Sequence, residues 1–235
     1  SPQRAQRPWQ GEESPASGST GVTYDPDCYL CPGNTRASGH VNAPYTSPWA
    51  FDNDFPAVAA DLDAGSVEVQ ATDPGEPSAL FKSEPVAGRC RVLCYHPDHS
   101  KTLANMTQEE ALAVVQLWAS EVETLRQSHQ WVQVFENRGA MMGCSNAHPH
   151  GQIWAVDTLP NEGEKELAQQ QAFYDAEQVA LLEVYRAEEE QLAERVVIQQ
   201  EHWTVLVPGG ALWPVESLRL PRRQIHHLDA HTYNE

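Results

Sequence analysis

The chain is short of basic residues, of membrane-length apolar runs and of a disulfide-like cysteine framework, and each shortage removes a class of function. Lys and Arg number 15 against 33 Asp and Glu, for a formal net charge of −18. A field of that sign repels polyanions and argues against nucleic acid or an acidic membrane as partner. No apolar run approaches the roughly 18 residues of a membrane span, and no secretory signal is read at the start. Cysteines number 5, an odd count that includes one close CxxC pair. That usage suits a reducing compartment and a metal better than disulfides. The composition therefore predicts a cytoplasmic globular protein, and 235 residues, 40% of them hydrophobic, suffice for a sizeable core in one or two domains.

What is present is concentrated between Gly143 and Trp154, GCSNAHPHGQIW. Flanked by Ile153, Trp154, Ala155 and Val156, the segment reads as a strand, whose alternate side chains share a face. His148, His150 and Gln152 then form a row, with Pro149, Gly151 and Ile153 opposite. Pro149 has no N–H for a sheet ladder, so the strand is expected at an edge, or irregular there, with the histidine face open to a ligand. Gly151 admits a close approach to whatever sits above it. Gly143 to Ala147, small and polar with free N–H groups, suits an anion. Three chemistries fit the row: two satisfied histidines on a polar face, a His-x-His metal site, or a nucleophile. A neutral imidazole, with an ordinary pKa of about 6.5, attacks phosphorus without an auxiliary base, and Gln152 would donate to a phosphoryl oxygen.

Smaller motifs surround this segment. In SPQRAQRPWQG, Arg4 and Arg7 are either a solvated basic arm or phosphate ligands. In CYLCPGN, Cys28 and Cys31 are a redox pair or half of a zinc site, and no thioredoxin-like βαβ unit surrounds them. FDNDF, from Phe51 to Phe55, is an Asn/Asp turn or a carboxylate placed for ligand hydroxyls. Ala60 to Pro85 predicts long irregular connections. RCRVLCY predicts a strand with Cys90 and Cys94 as buried structural thiols. Thr107 to Glu110 is a capping box opening a helix whose core stripe is Ala111, Val115, Trp118, Val122 and Leu125. Trp131 to Glu136 predicts a strand. Glu162 to Glu194 predicts a mostly helical stretch with a solvated charged face and Phe173, Leu181, Leu182 and Tyr185 on the apolar side. Val205 to Val207 and Glu216 to Leu220 predict strands, a weak echo of the course from Trp49 to Tyr95 that suggests internal duplication.

Asn146 to Trp154, preceded by Gly143, Cys144 and Ser145, resembles the active-site segment of the galactose-1-phosphate uridylyltransferase family, a branch of the histidine-triad superfamily. The Arg-x-x-Arg-Pro-Trp-Gln-Gly and CxxC segments resemble the same family. The resemblance implies an α+β fold: a histidine-triad-like antiparallel sheet with packed helices, in two similar halves with the second incomplete. Residues 1–160 would be the first half, 161–194 a helical connection and 195–235 the start of the second. A first strand and the end of the second half would lie outside this chain.

It further implies that His150 is uridylylated and that His148 completes a structural zinc site with Cys28, Cys31 and the PDHS histidine, His99. His96 is a chemically acceptable alternative. Gln152 stands where triad hydrolases carry a third histidine, and a glutamine that exchanges no proton with a leaving group favours transfer over hydrolysis. Ser145 would join Gln152 in stabilising the phosphoryl oxygens. Arg4 and Arg7 would lie near the phosphates of the partner subunit's site, in a homodimer with shared active sites. Asn53 and Asp54 would hold the ribose, and Phe135, Asn137 and Cys144 would surround the transferred group. Glu166 matches the carboxylate ligand of a second metal, usually iron. The implied reaction moves UMP between UDP-glucose and galactose 1-phosphate in the Leloir pathway of galactose metabolism. Two other readings remain: a phosphorylase or hydrolase of ADP-sugars or dinucleotides, and an inactive, zinc-stabilised nucleotide-binding protein.

Overall fold

The computed structural model describes residues 21–58, 86–139, 142–144, 146–213 and 215–225. Arg4, Arg7, Ser145 and the whole segment expected to be irregular, Ala60 to Pro85, lie outside the described residues. The chain divides at Pro160 into two compact units.

The first unit holds β1 (Trp49–Asp52), β2 (Gly88–Cys94), α1 (Gln108–Leu125), β3 (Trp131–Phe135) and β4 (His150–Val156). The strands form an antiparallel sheet in the order β1-β2-β4-β3. Of the two expectations for the His-Pro-His segment, an edge or an irregularity at Pro149, the edge is corrected: β4 is interior and pairs on both sides, with its ladder beginning only at His150. Pro149 is tolerated because it precedes the first strand residue and takes part through its carbonyl, which accepts from the Tyr95 N–H at 3.3 Å.

Alternation along the strands makes two unlike faces. On one, Leu93, Tyr95, Ile153 and Ala155 pack with Val114 and Leu125 of α1 into a core. On the other, Phe51, Val92 and Cys94 pack against Cys28, Leu30, Cys31 and Tyr45 from the preceding loop. Cys90 and Cys94 are buried thiols on this second side, as expected. The capping box of α1 is present in both directions: Thr107 Oγ1 accepts from the Glu110 N–H at 3.2 Å, and Glu110 Oε2 accepts from the Thr107 N–H at 2.7 Å. One residue of the expected stripe is displaced. Val115 is exposed and its neighbour Val114 is buried, because the sheet meets the side formed by Val114, Leu117, Trp118 and Leu125.

The second unit holds α2 (Asn161–Glu177), α3 (Leu181–Leu192), β5 (Val196–Gln199), β6 (Trp203–Leu206) and β7 (Leu218–Pro221), the strands antiparallel in sequence order. The mostly helical expectation is met by two helices, the first of them ended at Gln178, which takes a left-handed conformation at φ 56°. Leu182, assigned to the apolar side, is exposed. Glu189 is buried instead, and two 3.0 Å hydrogen bonds from Arg195 Nε to its carboxylate explain why a charged residue can sit there. No helix among the described residues is long and apolar enough to cross a membrane.

Candidate functional site

Cys28, Cys31, His99 and His148 bring their ligand atoms within 4.8 Å of one another, the one such group among the described residues. Cys31 Sγ stands 3.5 Å from Nδ1 of both His99 and His148. A tetrahedral zinc with Zn–S of about 2.3 Å and Zn–N of about 2.0–2.1 Å has S···N edges of about 3.5 Å, so the donor set fits a closed four-coordinate metal.

The surroundings fix the ligands before any metal arrives. Buried Asn42 donates through Nδ2 to the carbonyls of Tyr29 and Cys31, both at 2.9 Å, and Asn34 Nδ2 donates to that of Cys28 at 2.8 Å. His148 Nε2 lies 2.8 Å from the His96 carbonyl, an acceptor only, so Nε2 carries the proton and Nδ1 offers its lone pair to the metal position. Burial pulls His148 down to about 4 and pushes the Cys31 thiol up to about 11. The histidine is therefore ready as a neutral ligand, whereas metal binding must displace the thiol protons. His96 is held elsewhere: its Nδ1 accepts from the Asp98 N–H at 2.9 Å and its Nε2 faces Glu110 at 3.3 Å. The group therefore includes His99 and leaves His96 outside.

Two residues beyond His148, strand alternation turns the His150 ring to the same side of the sheet as Val92 and Cys94. Its register partner is Cys94, while Gln152 lies between Val92 and Phe135. His150 and Gln152 line a cavity of ≈ 430 Å³ together with Asn53, Asp54, Arg36 and Phe51. His150 Nδ1 lies 2.8 Å from the carbonyl of His148, which again can only accept. The Nδ1–H is fixed there, and Nε2 is left as the lone-pair nitrogen. Burial lowers the ring's proton affinity, which keeps it neutral. A neutral imidazole of set tautomer, on the same strand face as the Gln152 amide, can act as a nucleophile.

The remaining sequence candidates are placed unequally. Asn53 Oδ1 accepts from the Phe55 N–H at 2.9 Å, so FDNDF is an Asx turn and at the same time presents Asp54 to the cavity. Phe135 ends β3 beside Gln152, and Asn137 follows it by two residues. Cys144 is less open to an anion than expected, since its N–H donates to the Gly139 carbonyl at 3.2 Å and its thiol to that of Asn146 at 2.9 Å. Glu166 is exposed on α2 of the second unit. The close neighbour of Gly151 is Tyr95 on the helix-covered face: an added Cβ would stand 2.2 Å from the Tyr95 hydroxyl. Sequence reasoning missed Asn42, Tyr45 and Arg36. They carry no periodic or motif signal, and only the Ser38-Gly39 turn signal beside Arg36 marks the hairpin that presents it.

Residues 1–160 match the galactose-1-phosphate uridyl transferase N-terminal domain, and residues 165–235 match the C-terminal domain. The galactose-1-phosphate uridylyltransferase of Haemophilus influenzae is 44% identical over 228 residues, covering 97% of this chain and 63% of that protein. That of Rattus norvegicus is 45% identical over 226 residues, covering 96% and 57%. The chain thus spans less than two thirds of the length of either relative. Among solved structures, a uridylyltransferase is similar with a TM-score of 0.72 at 23% identity, covering 97% of this chain and 64% of that one. An ADP-glucose phosphorylase from Arabidopsis thaliana, with bound ADP-glucose, is similar with a TM-score of 0.68 at 19% identity, covering 100% and 67%. These two likenesses show the fold, and with it the expected α+β architecture of antiparallel sheet and packed helices. With its N-terminal match running through the CxxC and His-Pro-His segments, the chain belongs to the galactose-1-phosphate uridylyltransferase family.

Proposed function

We propose that this chain carries the nucleotidyl-transfer site of a UDP-glucose:hexose-1-phosphate uridylyltransferase that works by a ping-pong mechanism. The observation that carries the reading is the hydrogen bond from His150 Nδ1 to the His148 carbonyl, which leaves Nε2 as the nucleophilic atom of a ring lining the cavity. Nε2 attacks the α-phosphorus of UDP-glucose. The N–P bond forms, the bond from that phosphorus to the bridging oxygen breaks, and glucose 1-phosphate leaves with the electron pair. A phosphate oxygen of galactose 1-phosphate then attacks the same phosphorus and restores the imidazole. Two sugar phosphates thus use one site in turn. Gln152 donates to the phosphoryl oxygens, with Ser145 and with Arg4 and Arg7 of the partner subunit, in a homodimer whose sites are shared. Local cations of this kind are needed because the chain's net charge of −18 repels a nucleotide sugar. Asn53 and Asp54 hold the ribose, while Phe135, Asn137 and Cys144 border the transferred group.

Cys28, Cys31, His99 and His148 would hold zinc in a structural role, all four positions being filled by protein. Glu166 is assigned to a second, iron site that needs ligands beyond the described residues. Residues 1–160 are read as the first histidine-triad-like half, 161–194 as a helical connection and 195–235 as the start of a second half, a division supported by the separate three-stranded sheet β5-β6-β7. A cytoplasmic setting is supported by the five free thiols.

The fold is shared with an ADP-glucose phosphorylase, so base selectivity is the discriminating experiment. Turnover with UDP-glucose and galactose 1-phosphate, and none with ADP-glucose and phosphate, is the expected result; the reverse preference would replace this reading with the phosphorylase one. Tight UDP-glucose binding without release of glucose 1-phosphate would instead favour a binding protein.

A further inference from the structure

One buried cation of the first unit has no role in the reaction above. The Arg36 side chain is 11% exposed, and its guanidinium carbon lies 4.1 Å from the centroid of Phe51. Phe51 stacks on Trp49 at 4.8 Å, and Trp49 on Tyr45 at 5.2 Å, so the guanidinium ends a column of three rings. Its Nε and Nη1 are buried without a hydrogen-bond partner among the described residues. Nε stands 3.4 Å from Asp54 Oδ2, within ion-pair range but longer than the about 2.7–2.9 Å of a charge-assisted hydrogen bond.

Unsatisfied donors on a buried cation destabilise a fold, and a methionine would fill the same stem volume without them. What arginine alone supplies is a planar charge stacked on Phe51 and facing a carboxylate that lines the cavity. The other basic side chain near this carboxylate is loosely placed: His40 Nδ1 lies 3.8 Å from Asp54 Oδ1, and that side chain is 73% exposed. The backbone under Arg36 is fixed by a tight hairpin. The Arg36 N–H donates to the His40 carbonyl at 2.8 Å, and Gly39, at φ +86°, donates to the Arg36 carbonyl at 2.9 Å.

We propose that Arg36 is a positioning residue that holds the Asp54 carboxylate against the cavity, where adjacent ribose hydroxyls of the nucleotide donate to it. This rests on the ribose role proposed for Asp54. The loop that carries the two metal thiols also carries Arg36, so the order of the metal-bearing loop is passed to nucleotide recognition.

The test compares binding of UDP-glucose and its 2′-deoxy analogue to the metal-loaded full chain, with metal content measured on every variant. The unmodified protein should prefer the ribo form by about tenfold, the worth of a hydrogen bond to a charged group. Asp54→Asn should lower that preference to about twofold, and Arg36→Met should do the same with metal content unchanged. If Asp54→Asn loses the preference while Arg36→Met keeps it, the positioning role is overturned. If Asp54→Asn itself keeps the preference, the ribose reading fails, and the role of Arg36 fails with it. Should Arg36→Met lose its metal, Arg36→Lys, which keeps charge and stem but not the planar stack, decides the matter. A reduced preference with metal retained supports the proposal, and an unchanged preference overturns it.

Discussion

His150 presents one nitrogen to chemistry because the other is tied to a backbone carbonyl two residues away. His150→Asn keeps a side chain of similar polarity and removes the nucleophile. Glucose 1-phosphate release should fall on the order of 10⁴-fold or more, with unchanged metal content; a rate near that of the unmodified protein would remove His150 from the role. Gly151 is constrained from the opposite face, where Tyr95 is wedged against Trp118 at 5.8 Å between ring centroids. Gly151→Ala should cost about 1–3 kcal/mol in urea unfolding through overpacking, and Tyr95→Phe in the same chain should recover part of it. At this scale the sequence was informative where one motif held the answer. Spacing alone put His150 and Gln152 on one face, and the CxxC pair asked for two further ligands. The neighbour of Gly151 and the partner of Asp54 were not legible, because Tyr95 and Arg36 reach them from segments 56 and 18 residues away, and no local pattern encodes such contacts.

Among the elements, α1 and the β1–β2 pair hold the site's sheet in place. Thr107→Ala removes one side of the capping box and should destabilise the protein by about 1 kcal/mol. Asp52, on β1, accepts two hydrogen bonds from Arg89, at 2.7 and 2.8 Å, and one from Arg91 at 3.1 Å. These arginines hold its pKa below the ordinary carboxylate value, Arg89 first. A carboxylate depressed in the folded state stabilises it above the unfolded pKa, and that contribution is lost as pH falls through the folded value. Asp52→Asn should therefore cost about 0.5–1 kcal/mol at neutral pH, since the group is more than half exposed, and the difference from the unmodified protein should vanish in acid. Element identity was legible from capping and alternation, but strand order was not. Pro149 suggested an edge, yet a proline just before the first ladder residue costs a central strand nothing. Val115 and Val114 were equally apolar, and only the position of the sheet against α1 decided which was buried.

At the scale of the whole molecule, the cluster that could hold a metal joins three distant stretches of chain, around Cys28, His99 and His148. Metal removal by a chelator should lower the unfolding temperature and release the loop that carries Cys28 and Cys31; zinc should restore both, at one equivalent per chain. Covalent transfer through one histidine is checked by intact mass after incubation with UDP-glucose at neutral pH. The expected result is a uridylyl adduct that is lost on acid treatment and maps to His150. An adduct on another residue, or glucose 1-phosphate released with no adduct formed, would overturn covalent transfer through His150.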